Sequence, residues 1–305
     1  MRAYTADSPN ARTQSYHAAL PVPRLGELHT TYNLSNQVGC EVLVMVRASS
    51  VNPSDRYPSI ASDSGIPHVM GSDVAGTVVN LGKRCLNRSG GVRVRIGDRV
   101  WGDIGANTRT LSSGYKTKEL GGYADLALAL DTQLGVMPRN LDFAEAAALP
   151  KVALTSWKAL TWYAGALNET FRGRRVLILG GSGGTGSTGI QLARALGAGE
   201  ILTTTSATNA DYVKGLGANR SIDYHSENWW DPAVISHGSV DVIYDCVGQP
   251  GTGDRAMTVL KGDNSFYVTI AGALATKVKS GVEQHMFINS DTNLNSGDLL
   301  DALRD

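Results

Sequence analysis

The sequence predicts an α/β protein of two domains, a β-rich one followed by a doubly wound parallel sheet. Three observations predict it. Short β-branched runs alternate with Gly, Pro, Ser and Asn clusters in the first half. Strand-like and helix-like segments alternate in the second half. Six glycines in residues 180–189 (GGSGGTGSTG) lie where a strand meets a helix. A chain of 305 residues fits two domains at about 150 residues each.

In the first half, residues 41–46 (EVLVMV) and 74–79 (VAGTVV) read as strands. Residues 92–100 (VRVRIGDRV) alternate apolar with basic side chains, as a strand of a small antiparallel barrel does. Residues 103–122 are polar and glycine-bearing, hence a loop. Residues 142–149 (DFAEAAAL) read as a helix with Asp142 as N-cap and Glu145 three residues on, and Pro150 ends it.

In the second half, residues 175–179 (RVLIL) suit a strand buried on both faces. After the glycine cluster, residues 190–196 (IQLARAL) have helical spacing and stop at Gly197. Strand-like 201–205, 221–224, 240–246 and 266–270 then alternate with helix-like 211–216 and 254–260.

Composition excludes several classes. The 28 basic and 28 acidic side chains cancel, which argues against nucleic acid or an anionic membrane as the main partner. Glycine (35) and proline (10) together fall short of a low-complexity chain. No apolar run reaches the ~18 residues of a membrane helix, and the N-terminus lacks a charged-then-apolar signal pattern. The three cysteines, Cys40, Cys85 and Cys246, form no CxxC pair. They read as reduced thiols of a cytoplasmic protein, with an organelle as the alternative had a transit segment been removed.

Within the glycine cluster, Gly181, Gly183 and Gly186 have the GxGxxG spacing. One glycine turns the chain from strand to helix, one admits a pyrophosphate to the backbone, and one lets helix and strand pack closely. The helix N-terminus offers N–H groups and a positive dipole end. Since the motif directly follows RVLIL and opens a helix, it predicts a Rossmann dinucleotide site formed by Gly181, Ser182, Gly183, Gly184, Thr185 and Gly186. No Lys-Ser or Lys-Thr follows, so it is not a P-loop. The end of the second strand, Thr203 to Ser206, lacks the carboxylate that holds an NAD ribose. Hydroxyls of Thr205, Ser206 and Thr208 and the Asn209 amide would instead take a 2′-phosphate, with Lys214, Arg220 and Tyr224 within reach. NADPH is therefore the expected cofactor. The alternative is that these are ordinary turn residues.

Several stretches taken in order carry a resemblance: SVNPSD (50–55), GSDVAGTV (71–78), GDRVWG (97–102), GGYAD (121–125), AAALP (146–150), LTSWKAL (154–160), the glycine loop and VDVIYDCVG (240–248). From about residue 41 onward the chain resembles the medium-chain dehydrogenase/reductase superfamily, in its zinc-free quinone oxidoreductase and enone reductase branch. The resemblance implies a GroES-like β-rich catalytic domain over 1–150 and a Rossmann cofactor domain over 151–290. A start of the return to the first domain would occupy 291–305, stopping inside a helix that the family's chains normally run past. The nicotinamide would lie in the cleft between the domains, with Thr155, Val247 and Gly248 as further cofactor contacts. Residues 4–39 match the family poorly.

Zinc enzymes of this superfamily place Cys, His and Cys where this chain has Asn52, Ser72 and Lys151, none of them a fit catalytic zinc ligand, so no metal is expected. Without a Lewis acid, alcohol oxidation loses the group that stabilises its alkoxide. Hydride addition to a conjugated C=C needs only donors for the enolate oxygen and a proton for the α-carbon. The resemblance points to Asn52 as donor to the carbonyl and Tyr57 as substrate-orienting or proton-relaying residue, with Asp55 beside them. Lys151 would be a proton donor or oxyanion partner. Against these stand a plain turn at 52–55 with Asp55 as a cap, a packing Tyr57, and a solvated Lys151 just after Pro150.

The leading reading is an NADPH-dependent, zinc-independent reductase of α,β-unsaturated carbonyls or quinones, acting on a small molecule. An enoyl-thioester reductase would use the same chemistry. A non-catalytic NADPH-binding structural or RNA-binding protein is the third. A short-chain dehydrogenase is set aside, because none of the 11 tyrosines has lysine four residues later. Residues 286–289 (MFIN) read as an edge strand through which two chains would pair as a homodimer.

Overall fold

The structure is a computed structural model describing residues 1–6, 14–25, 39–56, 68–87, 92–105, 121–165, 171–287 and 296–304. Two compact units divide the chain, one of Met1–Leu154 with Asn289–Asp305 and one of Thr155–Ile288.

In the first unit the strands are β1 (Ala3–Ala6), β2 (Gln14–His17), β3 (Glu41–Ala48), β4 (His68–Val69), β5 (Asp73–Leu81), β6 (Arg99–Asp103), β7 (Leu126–Leu130) and β8 (Leu134–Val136). A small sheet orders them β2-β1-β4. A five-stranded sheet orders them β7-β3-β5-β6-β8, its pairs all antiparallel. Val42, Val44, Val74, Val78, Val100, Ala127 and Ala129 fill its core. Both expected strands are present, β3 running two residues further at its C-terminal end and β5 further at both ends. Residues 92–98 are not strand. Gly97 takes φ +93°, and Asp98 accepts the Arg95 N–H at 2.8 Å, so a turn holds this segment and β6 starts only at Arg99.

A short helix α1 (Lys83–Leu86) follows β5. Helix α2 (Phe143–Ala147) has the expected capping box: Asp142 accepts the Glu145 N–H and Glu145 accepts the Asp142 N–H. Pro150 does more than end it. It opens α3 (Pro150–Lys158), a position where its missing N–H costs nothing.

Cys40 and Cys85 contradict the expectation of reduced thiols: they form a disulfide that ties the entry of β3 to α1. The spacing of 45 residues hid a pairing that the antiparallel ladder of β3 with β5 brings together. Both residues are buried. Closing a loop of this length removes about 2–4 kcal/mol worth of denatured-state freedom. Cys85→Ser is thus expected to lower unfolding stability by about 2–4 kcal/mol. Urea melts check it: wild type in dithiothreitol should match the variant, and an unchanged wild-type midpoint in reductant would refute a stabilising role.

The second unit holds β9 (Arg175–Leu179), α4 (Gly184–Ala195), β10 (Glu200–Thr205), α5 (Ala210–Leu216), β11 (Arg220–Asp223), β12 (Val242–Asp245), α6 (Thr252–Val259), β13 (Ser265–Thr269) and β14 (Val282–Met286). They make one parallel sheet in the order β11-β10-β9-β12-β13-β14. That is the doubly wound order 3-2-1-4-5-6. RVLIL is buried on both faces as expected, Val176 and Ile178 joining one core and Leu177 and Leu179 the other. Helix α4 begins at Gly184, six residues before the expected helical spacing, so its first turns are built from residues of low helix propensity. The edge strand lies at Val282–Met286 rather than 286–289; Gly281 at φ +73° sets its start, and positions 288 and 289 lie outside the described residues.

Helix α7 (Gly297–Arg304) packs on β8 in the first unit. Arg93 pairs with Asp298 and Asp301, and Asp301 also accepts the Val136 N–H at 3.2 Å. Among the described residues, no helix is long and apolar enough to cross a membrane.

Candidate functional site

In the second unit, the order of the sheet reverses between β9 and β12, and the loops after both strands meet there. A Cβ on Gly180 (φ +81°) would lie 2.7 Å from Val247 Cγ2. A Cβ on Gly181 would collide with Thr203 Oγ1, and one on Gly186 with the Gly180 carbonyl oxygen. These two glycines are required by the packing of loop, strand and helix. Gly183 is different: its nearest neighbour would be the Gly180 oxygen at 3.4 Å, an ordinary contact. It is the N-cap of α4 in extended conformation, and no side chain caps the helix. The first turn of α4 is thus left to an anion from outside, the fit a pyrophosphate needs.

Ser182, Gly184 and Thr185 lie on this turn as expected. Three groups the sequence reading missed brace it. Ser156 of α3 donates to the Thr185 carbonyl at 2.8 Å and lies 3.0 Å from Thr188 Oγ1 and 3.3 Å from the Tyr244 hydroxyl. Thr204 Oγ1 accepts the Gly180 N–H at 2.9 Å. Asp245, at the end of β12, accepts the N–H groups of Val247 and Gly248 with one oxygen and the hydroxyls of Tyr267 and Thr269 with the other. Burial pushes the thiol of Cys246 and the phenol of Tyr244 up, so both stay protonated donors inside this bracing. A carboxylate ending a parallel strand before Cys-Val-Gly was the available signal for Asp245. Thr155, next to Ser156, is buried on α3.

At the end of β10, Ser206 Oγ lies 2.9 Å from Thr208 Oγ1, and Asn209 donates to Ser206 at 3.2 Å. The Tyr224 N–H donates to the Thr205 carbonyl at 3.2 Å, which brings Tyr224 to the same edge with its ring half exposed. Thr205 Oγ1 is buried with no hydrogen-bond partner among the described residues. Arg220 is not part of this cluster. It opens β11, donates to the Val234 carbonyl and pairs with Glu227. Lys214 is an exposed residue of α5. The hydroxyls and amide therefore gather without Arg220.

In the first unit, a 3-10 turn at Pro53–Arg56 folds the SVNPSD stretch back on β5. Asn52, Ser72 and Lys151, the positions that the resemblance matches to zinc ligands, come together here in a buried polar network. Asp55 accepts the Asn52 N–H at 2.8 Å, the Tyr123 hydroxyl at 2.8 Å and the Ser72 hydroxyl at 2.7 Å. The residues after Arg56, where a helix for Asp55 to cap would begin, lie outside the described residues. Asn52 Nδ2 donates to Asp73 at 2.8 Å and lies 3.2 Å from Ser50 Oγ, so its amide is held within the network. Asp73 also accepts the Lys151 N–H at 2.9 Å and the Ser50 hydroxyl at 2.6 Å.

Lys151 is not a solvated residue. Its Nζ pairs with the fully buried Asp103 at 3.0 Å, and its own side chain is only 14% exposed. Asp73 is pushed up to about 7, first by burial and then by the Asp103 charge, with Lys151, Ser50 and Asn52 opposing. Burial and the Asp55 carboxylate likewise raise Tyr123, which stays a neutral donor. Asp73, Asp103 and Tyr123 were not singled out from sequence. Tyr57 lies outside the described residues. Among those described, no group of three or more His, Cys, Asp or Glu side chains has the makings of a metal site.

Comparison with known proteins follows this division. Residues 39–139 match the family described as alcohol dehydrogenase GroES-like domain, and residues 184–292 that described as zinc-binding dehydrogenase. The chain is 36% identical over 239 residues to 2-methylene-furan-3-one reductase of Solanum lycopersicum, covering 77% of this chain and 55% of that one. It is 32% identical over 239 residues to NADPH-dependent alkenal/one oxidoreductase, chloroplastic, of Arabidopsis thaliana, covering 77% and 56%. The chain thus spans about half the length of the curated relatives it matches. Among solved structures, the quinone oxidoreductase from Coxiella burnetii superposes with a TM-score of 0.70 at 26% identity, covering 100% of this chain and 88% of that one.

Proposed function

Since the chain belongs to the medium-chain dehydrogenase/reductase superfamily, we propose that it is an NADPH-dependent reductase of conjugated carbonyl compounds or quinones that works without a catalytic zinc ion. The observation that carries this reading is the network at Asn52, Ser72 and Lys151. Where the superfamily's zinc enzymes present thiolates and an imidazole, this chain presents an amide, a hydroxyl and an ion-paired ammonium. None is a soft or imidazole ligand. The match to a family described as zinc-binding covers 184–292 and includes none of these three positions.

NADPH, when bound, supplies the hydride. The glycine turn would hold its pyrophosphate, and Ser206, Asn209 and Tyr224 its 2′-phosphate. Thr155, Val247 and Gly248 would line the rest of its site. Lys151 is the group this reading assigns to the developing enolate oxygen, an ammonium fixed by a buried carboxylate. Asn52 keeps Asp73 in place beside it, and Tyr57 is the proposed substrate-orienting residue. The relatives named a furanone reductase and an alkenal/one oxidoreductase support a conjugated acceptor. The buried disulfide weighs for a compartment that tolerates oxidation over the reducing cytoplasm. Pairing of two chains along β14, the last strand in the sheet order, belongs to the same reading.

The test is cofactor oxidation, followed at the nicotinamide absorbance, against 2-alkenals, vinyl ketones, quinones and enoyl-CoA thioesters. Turnover of an enone or quinone with NADPH preferred over NADH, undiminished by a chelator, is the expected result. Stoichiometric zinc in the purified protein with chelator-sensitive activity would overturn the zinc-free reading. Turnover of thioesters alone would replace the acceptor class.

A further inference from the structure

The first unit contains an open cavity of about 560 Å³ beside the small β2-β1-β4 sheet, sharing the Tyr123 wall with the polar network. Its walls include Tyr4, Tyr16, Val51, Met70 and Tyr123. Tyr4 and Tyr16 are direct cross-strand partners, their rings 5.2 Å apart and tilted by 51°. They are 52% and 54% exposed, and Val51 is 83% exposed. Large apolar side chains left this open on one concavity mark a binding surface rather than scattered surface residues.

The polar groups around the cavity define the charge of what it takes. Arg2 and Asp125 lie on its rim, and each is occupied by the other: the Arg2 guanidinium donates to both Asp125 oxygens and the Arg2 N–H to one of them. Those bonds hold the Asp125 carboxyl below its usual range. Among the described residues the rim therefore presents a neutralised pair, with no surplus charge to attract an ion. Ser49 spends its hydroxyl on the Asp73 carbonyl, and Tyr123 spends its own on Asp55. Beside Gln14 and the hydroxyls of Tyr4 and Tyr16, the described walls offer a ligand aromatic face and aliphatic edge, which favour offset or edge-on contact with another ring.

We propose that this cavity binds a neutral planar ring compound of one or two fused rings, seated against the Tyr4–Tyr16 pair and the Tyr123 ring. The Tyr123 ring is the wall shared with the polar network. Its hydroxyl holds Asp55, which in turn holds Ser72 and the Asn52 backbone, so an occupant would bear directly on that network. Binding requires neither cofactor nor turnover, so the proposal is tested apart from the reductase reading.

The probe is 2-naphthol, titrated against the full chain by its own fluorescence, with anionic 2-naphthoate as the charged counterpart. Saturable 2-naphthol binding is expected, with 2-naphthoate at least about tenfold weaker because the described rim residues offer no unpaired cation. Tyr16→Ala removes one ring contact and should weaken binding by about 2- to 12-fold, the equivalent of an aromatic pair. Val51→Trp fills the cavity and should weaken it by at least about tenfold. Both side chains are more than half exposed, so both variants keep the fold, which unchanged circular dichroism confirms. If the ring belongs to the acceptor substrate, 2-naphthol will compete with it in turnover; if it belongs to a separate ligand, inhibition will be noncompetitive. Absence of saturable binding up to about 1 mM, a concentration corresponding to only about 4 kcal/mol of affinity, overturns the proposal. So does binding that survives unchanged in both variants.

Discussion

Gly186→Ala is expected to weaken NADPH binding by on the order of 100-fold, because one methyl group cannot be placed without moving the turn that makes the site. A Cβ there runs into the Gly180 carbonyl oxygen and close to Gly181 Cα, all backbone atoms of the loop itself. No side-chain rotation relieves the contact, so α4 must move off β9, and the N–H groups of its first turn lose their aim. Two further substitutions separate this steric cause from mere loss of glycine. Gly183→Ala meets nothing closer than 3.4 Å, so it should fold normally and weaken binding only as far as its methyl intrudes on the phosphate. Gly215→Ala, inside α5 with nothing within 4 Å, should leave binding alone and raise stability by about 0.5–1 kcal/mol. Calorimetric titration with NADPH and urea melts read the series. Equal binding losses at positions 186 and 183, each without a change in stability, would refute the packing argument.

The glycine turn was legible because its requirement is local. Strand, glycines and helix follow one another within 20 residues, and each step leaves a mark on residue type. The doubly wound sheet was legible for the same reason, through runs such as RVLIL that are buried on both faces. The polar network of the first unit was only half legible. Asn52, Ser72 and Lys151 stood out by resemblance, but nothing in the order of residues tells which carboxylate Lys151 meets. Asp103 lies 48 residues before it, on a strand whose start was itself misplaced because Gly97 and Asp98 make a turn that alternation imitates. The same nonlocality hid the Cys40–Cys85 disulfide. Asp245 was passed over for another reason. A buried carboxylate that accepts four hydrogen bonds reads, in one dimension, as a polar residue closing a strand. Arg220 erred in the opposite direction: its charge suited a phosphate, yet it sits at the start of β11 and is taken by Glu227 and a carbonyl.

Lys151→Met should destabilise the protein by about 3–5 kcal/mol near pH 8, and by progressively less as the pH falls. Methionine nearly matches the aliphatic stem and keeps the backbone N–H that Asp73 accepts, so the loss is that of the charge. Asp103, fully buried, is left without its cation at 3.0 Å, and Asp73 loses the one positive charge that opposes its rise. A carboxyl raised above its unfolded value of about 3.9 binds more protons in the folded chain than in the unfolded one. Stability then falls as pH rises between the two values, which for wild-type Asp73 is the window from about 4 to about 7. Removing Lys151 moves the upper end of that window higher, because the folded form holds its protons longer. The deficit of the variant must therefore grow from pH 5 to pH 8. Asp103→Asn in the Lys151→Met background removes the stranded charge while keeping an oxygen to accept the Gly105 N–H, and should recover more than half of the loss. Urea melts at pH 5, 6.5 and 8 measure all three chains. A deficit independent of pH, or no recovery in the double variant, would mean that Lys151 stabilises the first unit by packing alone, and an ammonium that does not balance buried carboxylates would have little claim to balance an enolate.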